Sequence, residues 1–147
     1  MDLSRCERGL AIILRVSGTI TLAAVVAVLM PRGWMAATHL WLRLGTFPEG
    51  PIVEYLARSL SAFYAIHGAL FWFLASDIRR YAPVIAFLGW TGLLGGVGLF
   101  VLDWHLDLPL PWLVCEGPFV VLLCAVIVAL VPRPADEEGQ ARKGARA

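Results

Sequence analysis

Four long apolar stretches alternate with short polar segments along the chain. They cover residues 10–29, 55–74, 83–102 and 112–131. A helix needs about 20 residues to cross a hydrocarbon core of roughly 30 Å, so each stretch has the length of a membrane span. We therefore predict an all-α membrane protein, a four-transmembrane-helix bundle that forms a single domain over 1–131. The polar residues of 132–147 predict a flexible cytoplasmic tail.

A shorter apolar run with helical spacing lies between the first two stretches. It covers 34–44 and ends before Gly45, a residue typical of helix C-caps. The run is too short to cross a bilayer, so we predict a short interfacial amphipathic helix on the outer side, with His39 and Arg43 toward water. A loop packed over the bundle is the alternative. Pro51 then suits the first turn of the next helix.

Basic residues in the short connecting segments predict the orientation, because such residues stay on the cytoplasmic side. They precede the first stretch, join the second to the third, and follow the fourth: Arg5, Arg8, Arg79, Arg80, Arg133, Arg142, Lys143 and Arg146. The segment 103–111 contains no lysine or arginine. Both termini are therefore predicted to be cytoplasmic, in a multi-pass protein of the cytoplasmic (inner) membrane.

Composition narrows the classes of function. Hydrophobic residues make up 59% of the 147 residues, charged residues only 16%, and the net charge is +1. These values exclude disorder, a basic nucleic-acid binder and most soluble enzymes. The expected partner is the lipid bilayer, and a homo-oligomer or a larger membrane complex is possible on this composition.

Small residues mark the helix faces that are expected to pack, because close backbone approach drives helix association in lipid. The third stretch carries Gly89, Gly92 and Gly96 on one face, and the last two form a GxxxG pair. In the second stretch the face through Glu54 and Arg58 continues with Ala62, Ala65, Ala69 and Ser76. The first stretch contributes Ser17, Thr21 and Ala24.

Arg58 and Glu116 are the most informative polar residues. Each lies about four residues, or roughly 6 Å, inside the outer end of its stretch. An unpaired charge at that depth costs several kcal/mol. The sequence therefore predicts an ion pair between the second and fourth helices, joined by Glu54 one turn before Arg58. A ligand or ion site is the alternative, because Pro118 is predicted to kink the fourth helix and free a carbonyl beside Glu116.

His67 completes the set of candidate intramembrane polar residues. It lies near the middle of the second stretch, on an apolar face. A hydrogen bond to a neighbouring helix, within this chain or in another subunit, is predicted, with proton relay as the alternative. Haem ligation by two histidines would need a second buried histidine, whereas His39 and His105 fall in outer segments, so no cofactor is expected.

Motifs of enzyme chemistry are missing from the sequence. Cys6, Cys115 and Cys124 form no CxxC pair, and no phosphate loop, HExxH or nucleophile elbow occurs. No catalytic or metal-binding residue is therefore expected. The predicted function is that of a noncatalytic accessory or scaffolding subunit acting through helix contacts. The alternative is a small carrier or ligand-binding membrane protein that uses Arg58 and Glu116.

Two segments carry a resemblance to a known family. They are VEYLARSLSAFYAIHG at 53–68 and DIRRY at 77–81. Together with the four apolar stretches they resemble small bacterial inner-membrane proteins of the BphX-like type. The resemblance implies a four-helix fold and a bacterial membrane, and it implies no activity and no site residues.

Overall fold

The computed structural model describes residues 4–132, so the predicted tail lies, apart from Pro132, outside the described residues. Within that range the chain forms helices and no strand. The helices are α1 (Arg5–Leu22), α2 (Val25–Leu29), α3 (Arg32–Trp41), α4 (Pro51–Leu74), α5 (Ile78–His105), α6 (Leu110–Cys115) and α7 (Gly117–Leu130). The predicted all-α class is therefore confirmed.

Three helical stretches among residues 4–132 are long and apolar enough to cross a membrane. They are Arg5–Leu29, Ile78–His105 and Leu110–Leu130. The remaining long helix, α4, has 24 residues and a length of roughly 36 Å. Polar residues such as Arg58 and His67 dilute its apolar sequence, so α4 does not join the other three. The structure thus supports a multi-pass membrane protein with three spans identified by length and composition.

A two-residue turn interrupts the first span where α1 meets α2. There the N–H of Ala24 donates to the Thr21 carbonyl at 3.1 Å, and the N–H of Val26 donates to the Ala23 carbonyl at 3.0 Å. These bonds have the tighter spacing of a 3₁₀ turn. The Thr21 hydroxyl also donates back to the Ser17 carbonyl at 2.9 Å, a bond that often bends helices.

The predicted short helix between the first two stretches exists as α3, but it ends at Trp41 rather than Leu44. The N–H of Leu44 donates to the His39 carbonyl at 3.1 Å and the N–H of Arg43 to the Leu40 carbonyl at 3.0 Å. This bond pair is a Schellman motif. Arg43 occupies the left-handed position of this motif, with φ 60°, so Gly45 is not the capping residue that the sequence indicated.

Proline shapes the later helices in two ways. Pro51 opens α4 in its first turn, as predicted. The last span is interrupted at Glu116, between α6 and α7, and Pro118 lies in the first turn of α7. Because Pro118 has no N–H to donate, the Val114 carbonyl loses its usual partner. The predicted kink beside Glu116 is confirmed.

The helices associate as two antiparallel pairs: α1 and α2 pack on α4, and α5 packs on α7. In the first pair, a Cβ added to Gly68 would lie 2.5 Å from the Leu22 nitrogen and 2.6 Å from the Gly18 oxygen. Such distances leave room only for hydrogen, so α1 and α4 touch through their backbones. The Trp72 indole donates to the Thr19 hydroxyl across the same contact, at 3.1 Å.

The second pair uses the glycine face that the sequence predicted. Added Cβ atoms at Gly89 and Gly96 would lie 2.6 Å from Val128 and 2.8 Å from Val121, both on α7. Gly92 faces the Cys124 sulfur. From the other side, a Cβ at Gly117 would lie 2.7 Å from the Phe100 Cβ. The GxxxG prediction for α5 is therefore confirmed.

The main buried cluster joins the two pairs at one end of the molecule, called here the core end. It combines the start of α1, the end of α4, the start of α5 and the end of α7 through Leu10, Ala11, Leu14, Leu74, Ala75, Ile78, Ile85 and Ile127. The opposite end, where α4 begins and α5 ends, is called the α3 end. The candidate polar residues lie mostly toward the α3 end.

Candidate functional site

Arg58 fastens the first helix pair at the α3 end. Its guanidinium donates to Glu54 Oε1 from Nη2 at 2.7 Å and from Nε at 3.1 Å. It also donates to the Met30 carbonyl at 3.0 Å and to the Val28 carbonyl. Both carbonyls lie at the C-terminal end of α2, where helix carbonyls lack partners within the helix and favour a positive charge. Arg58 therefore caps α2 while pairing with its own helix.

The predicted ion pair between Arg58 and Glu116 is wrong. The donors of Arg58 are directed at Glu54 and at the end of α2, and no ion pair within residues 4–132 joins Arg58 to Glu116. Equal depth and opposite sign did not reveal which face of the bundle each side chain occupies. The part of the prediction that joined Glu54 to Arg58 is confirmed, with the i,i+4 spacing of a helix pair.

Glu116 instead lies near a second acidic residue, Asp103. The Glu116 side chain is half-buried at the break between α6 and α7. Its carboxylate interacts electrostatically with Asp103 and with Tyr64 of α4, and it contacts the Trp112 side chain. The structure thus brings Glu116 together with residues that the sequence analysis did not single out.

Asp103 is the most unusual polar residue of this group. It is only 4% exposed, and its Oδ2 atom has no hydrogen-bond partner among the described residues. Buried side-chain oxygens normally have at least one partner. Two signals in the sequence pointed to Asp103: it lies near the C-terminal end of a helix, where a negative charge is unfavourable, and it opens a segment without basic residues.

His67 is half-buried on α4 and packs against Phe71, with ring centroids 4.5 Å apart. The hydrogen bond that was predicted for its imidazole is not found in the part of the chain that the structure describes. The structure therefore does not join His67 to the group formed by Arg58 and Glu54. The four predicted site residues do not form one network.

A further charged pair lies at the core end and was missed as a pair. Arg79 donates to both oxygens of Glu7, at 2.5 Å from Nε and 3.0 Å from Nη2. Ser4 and Glu7 form a capping box at the start of α1, in which the Ser4 N–H donates to Glu7 at 2.6 Å. The Ser-x-x-Glu spacing is a sequence signal for the cap, whereas the separation of 72 residues between Glu7 and Arg79 gave no signal for the ion pair.

Arg15 binds the turn between the two pairs. Its Nη2 donates to the Ala75 carbonyl at 3.5 Å, at the C-terminal end of α4. The bond places a positive charge at a helix C-terminus, where such a charge is favourable.

The described residues contain no cluster typical of a transition-metal site and no paired cysteines. No group of three or more His, Cys, Asp or Glu side chains that could hold a metal ion occurs between residues 4 and 132. Cys6 and Cys115 are exposed free thiols, and Cys124 is buried against α5.

No family model, curated protein or solved structure matches the chain. The resemblance to BphX-like proteins therefore stays a prediction.

Proposed function

We propose that this chain is a noncatalytic accessory or scaffolding subunit of a bacterial inner membrane, which acts by binding a partner helix within the bilayer. The observation that carries the proposal is that three arginines bind groups within the chain itself. Arg58, Arg79 and Arg15 bind carboxylates and carbonyls of the chain itself. The charges thus fasten helices together, and apolar side chains dominate the outer surface.

In this proposal α4 is the fourth span, so that the two helix pairs form a four-helix bundle. The partnering of Glu54 with Arg58 supports it, because paired charges enter a bilayer at much lower cost than isolated ones. The basic residues at the core end favour a cytoplasmic position for that end and for both termini.

The helix α3 lies on the outer leaflet in the same proposal. Trp34 and Trp41 share one face of α3 and are 67% and 80% exposed. Arg32 and His39 lie on the opposite face, as expected from a spacing of 100° per residue. Tryptophan favours the headgroup level of a membrane, so this distribution supports an interfacial helix.

The outward side of α5 is the favoured position for a partner helix. A Cβ added to Gly95 or Gly98 would have no atom of the described residues within 4 Å. Both glycines lie away from the face that packs on α7, whose glycines are tightly covered. Small residues in this position permit a second helix to approach closely.

Purification in mild detergent, followed by mass spectrometry and a mass measurement of the intact complex, tests the proposal. We expect a stoichiometric partner, either a second copy or another membrane subunit. Gly95→Leu should release it by filling the contact. Ala125→Leu, at an exposed small residue of α7, is the matched control and should retain it. A wild-type chain that purifies alone as a monomer would contradict the proposal.

A further inference from the structure

Among residues 4–132, no ion pair is formed by the buried carboxyl of Asp103. The residue is 96% buried, and Oδ2 is without a hydrogen-bond partner in residues 4–132. The segment 103–111 supplies no lysine or arginine. Arg58, on the neighbouring helix pair, is bound to Glu54 and to α2. A buried carboxylate without a partner costs several kcal/mol, so the carboxyl needs either a positive ligand or a bound proton to offset this cost.

Helix packing brings a second carboxyl to the same place. Gly117 packs on Phe100, where an added Cβ would lie 2.7 Å from the Phe100 Cβ. Asp103 lies three residues beyond Phe100, on the same side of α5. Glu116 immediately precedes Gly117, and its carboxylate interacts electrostatically with Asp103. Two acidic side chains from antiparallel helices therefore share one position at the α3 end.

The surroundings provide further groups that attract a cation. The break at Glu116 leaves the Val114 carbonyl without its usual donor, because Pro118 has no N–H. Carboxylate and carbonyl oxygens are the ligands of hard cations such as Ca²⁺. Tyr64 of α4 interacts electrostatically with Glu116, and the Trp112 side chain contacts its carboxylate. Groups on the neighbouring elements thus add to the two carboxyls.

We propose that Asp103 and Glu116 bind one small cation at the α3 end of the bundle, beside the break between α6 and α7. The ligand is a small cation that accepts oxygen ligands, and its source is either an inorganic ion or a primary ammonium compound. No group of three or more His, Cys, Asp or Glu side chains that could hold a metal ion occurs in the described residues, so a pair of carboxyls suits these cations better than a transition metal. This site is independent of the partner helix on α5.

Thermal unfolding of the full chain in detergent tests the site. The probes are NaCl, CaCl2 and methylammonium chloride, each compared at equal ionic strength with N-methylglucamine chloride, whose cation is too large for a buried site. We expect one probe to raise the Tm of the wild type progressively with concentration, because a ligand that binds only the folded state stabilises it. A response to the metal salts or to methylammonium identifies the source.

Three variants make the test specific. Asp103→Asn and Glu116→Gln should each abolish the rise in Tm, while Asp107→Asn, an exposed carboxyl at the same end, should retain it. In N-methylglucamine alone, Asp103→Asn should have a Tm equal to or above that of the wild type, because it removes an unpaired buried charge. Glu116→Gln alone still decides the outcome if Asp103→Asn does not fold.

Two results would overturn the proposal. The first is a wild-type Tm at neutral pH that none of the probes raises; if lowering the pH then raises this Tm, the carboxyl pair holds a proton in place of the cation. The second is an equal rise in Glu116→Gln and in the Asp107→Asn control.

Discussion

Arg79 binds Glu7 through two parallel hydrogen bonds, at 2.5 Å to Oε1 and 3.0 Å to Oε2. Glu7 begins α1 of the first helix pair and Arg79 begins α5 of the second, so the bond crosses between the pairs. Glu7 is only 5% exposed and lies beside the buried cluster of the core end. This geometry, a planar guanidinium against a carboxylate, is among the stronger polar contacts in proteins.

The contribution of this pair is testable with two substitutions of Glu7. Glu7→Gln removes the charge but retains an acceptor for the Ser4 capping bond, so we expect a loss of about 2 kcal/mol in the free energy of unfolding, the size of a hydrogen bond to a charged group. Glu7→Ala also removes the cap and should lose about 1 kcal/mol more. Denaturant unfolding in detergent measures both. Glu49→Gln, at an exposed loop residue, is the control, and a Glu7→Gln variant as stable as this control would contradict the role of the charge.

The backbone contact between α1 and α4 predicts opposite effects for two glycine substitutions. In Gly68→Ala the new methyl would meet the backbone of Leu22 and Gly18, so the helices must separate, at a cost of about 2 kcal/mol. Gly9→Ala, inside α1, adds a methyl in open space and should be neutral or stabilise by up to about 1 kcal/mol through helix propensity. Equal unfolding energies for the two variants would show that the contact at Gly68 is looser than described.

Arg58 and Glu116 should contribute independently, because Arg58 is bound to Glu54 and α2. In a double-mutant cycle, the losses from Arg58→Met and Glu116→Leu should add within about 0.5 kcal/mol. The matched cycle of Arg58→Met with Glu54→Leu should show coupling of about 1 kcal/mol, because those two side chains share a salt bridge. Strong coupling in the first cycle and none in the second would support the ion pair between Arg58 and Glu116 that was predicted from their equal depth.

The proposed orientation predicts which cysteines react from outside the cell. Cys6 is exposed at the core end, and Leu106, at the α3 end, is 61% exposed. Two single-cysteine chains are compared, one that keeps only Cys6 and one that carries only Leu106→Cys, with the other cysteines replaced by serine. On intact cells, an impermeant thiol reagent should label Leu106→Cys and leave Cys6 unlabelled. Cys6 should become reactive once the membrane has been permeabilised. The reverse pattern in intact cells would place both termini outside.

Sequence patterns predicted local structure well where the cause was local. The glycines of α5 recur on one face, and that face packs on α7. The missing N–H of Pro118 breaks the last span where the sequence indicated. Pro51 opens α4 because its ring matches the first turn of a helix. In each case the residue itself limits the backbone, so no knowledge of distant neighbours is needed.

Pairings between distant residues were not predictable in the same way. Arg58 was assigned to Glu116 from depth and sign alone, but its rotation on α4 directs it to α2. Gly68, where α4 meets the backbone of α1, was not part of the predicted face through Ala62 and Ala69, because several faces of α4 carry small residues. Which face meets which helix depends on the packing of all spans together, and a single sequence does not contain that information in readable form.

The buried cluster at the core end has a consequence for the biogenesis of the chain. Leu10 and Leu14, near the beginning of the sequence, belong to the same cluster as Ile127, near the end of the described residues. During synthesis the first helix therefore enters the membrane long before its last neighbour exists. Until α7 has been made, part of the surface around Leu10 lies against lipid or the insertion machinery. A chain that stops short of residue 127 would lack the part of α7 that completes the buried cluster shared by the two helix pairs.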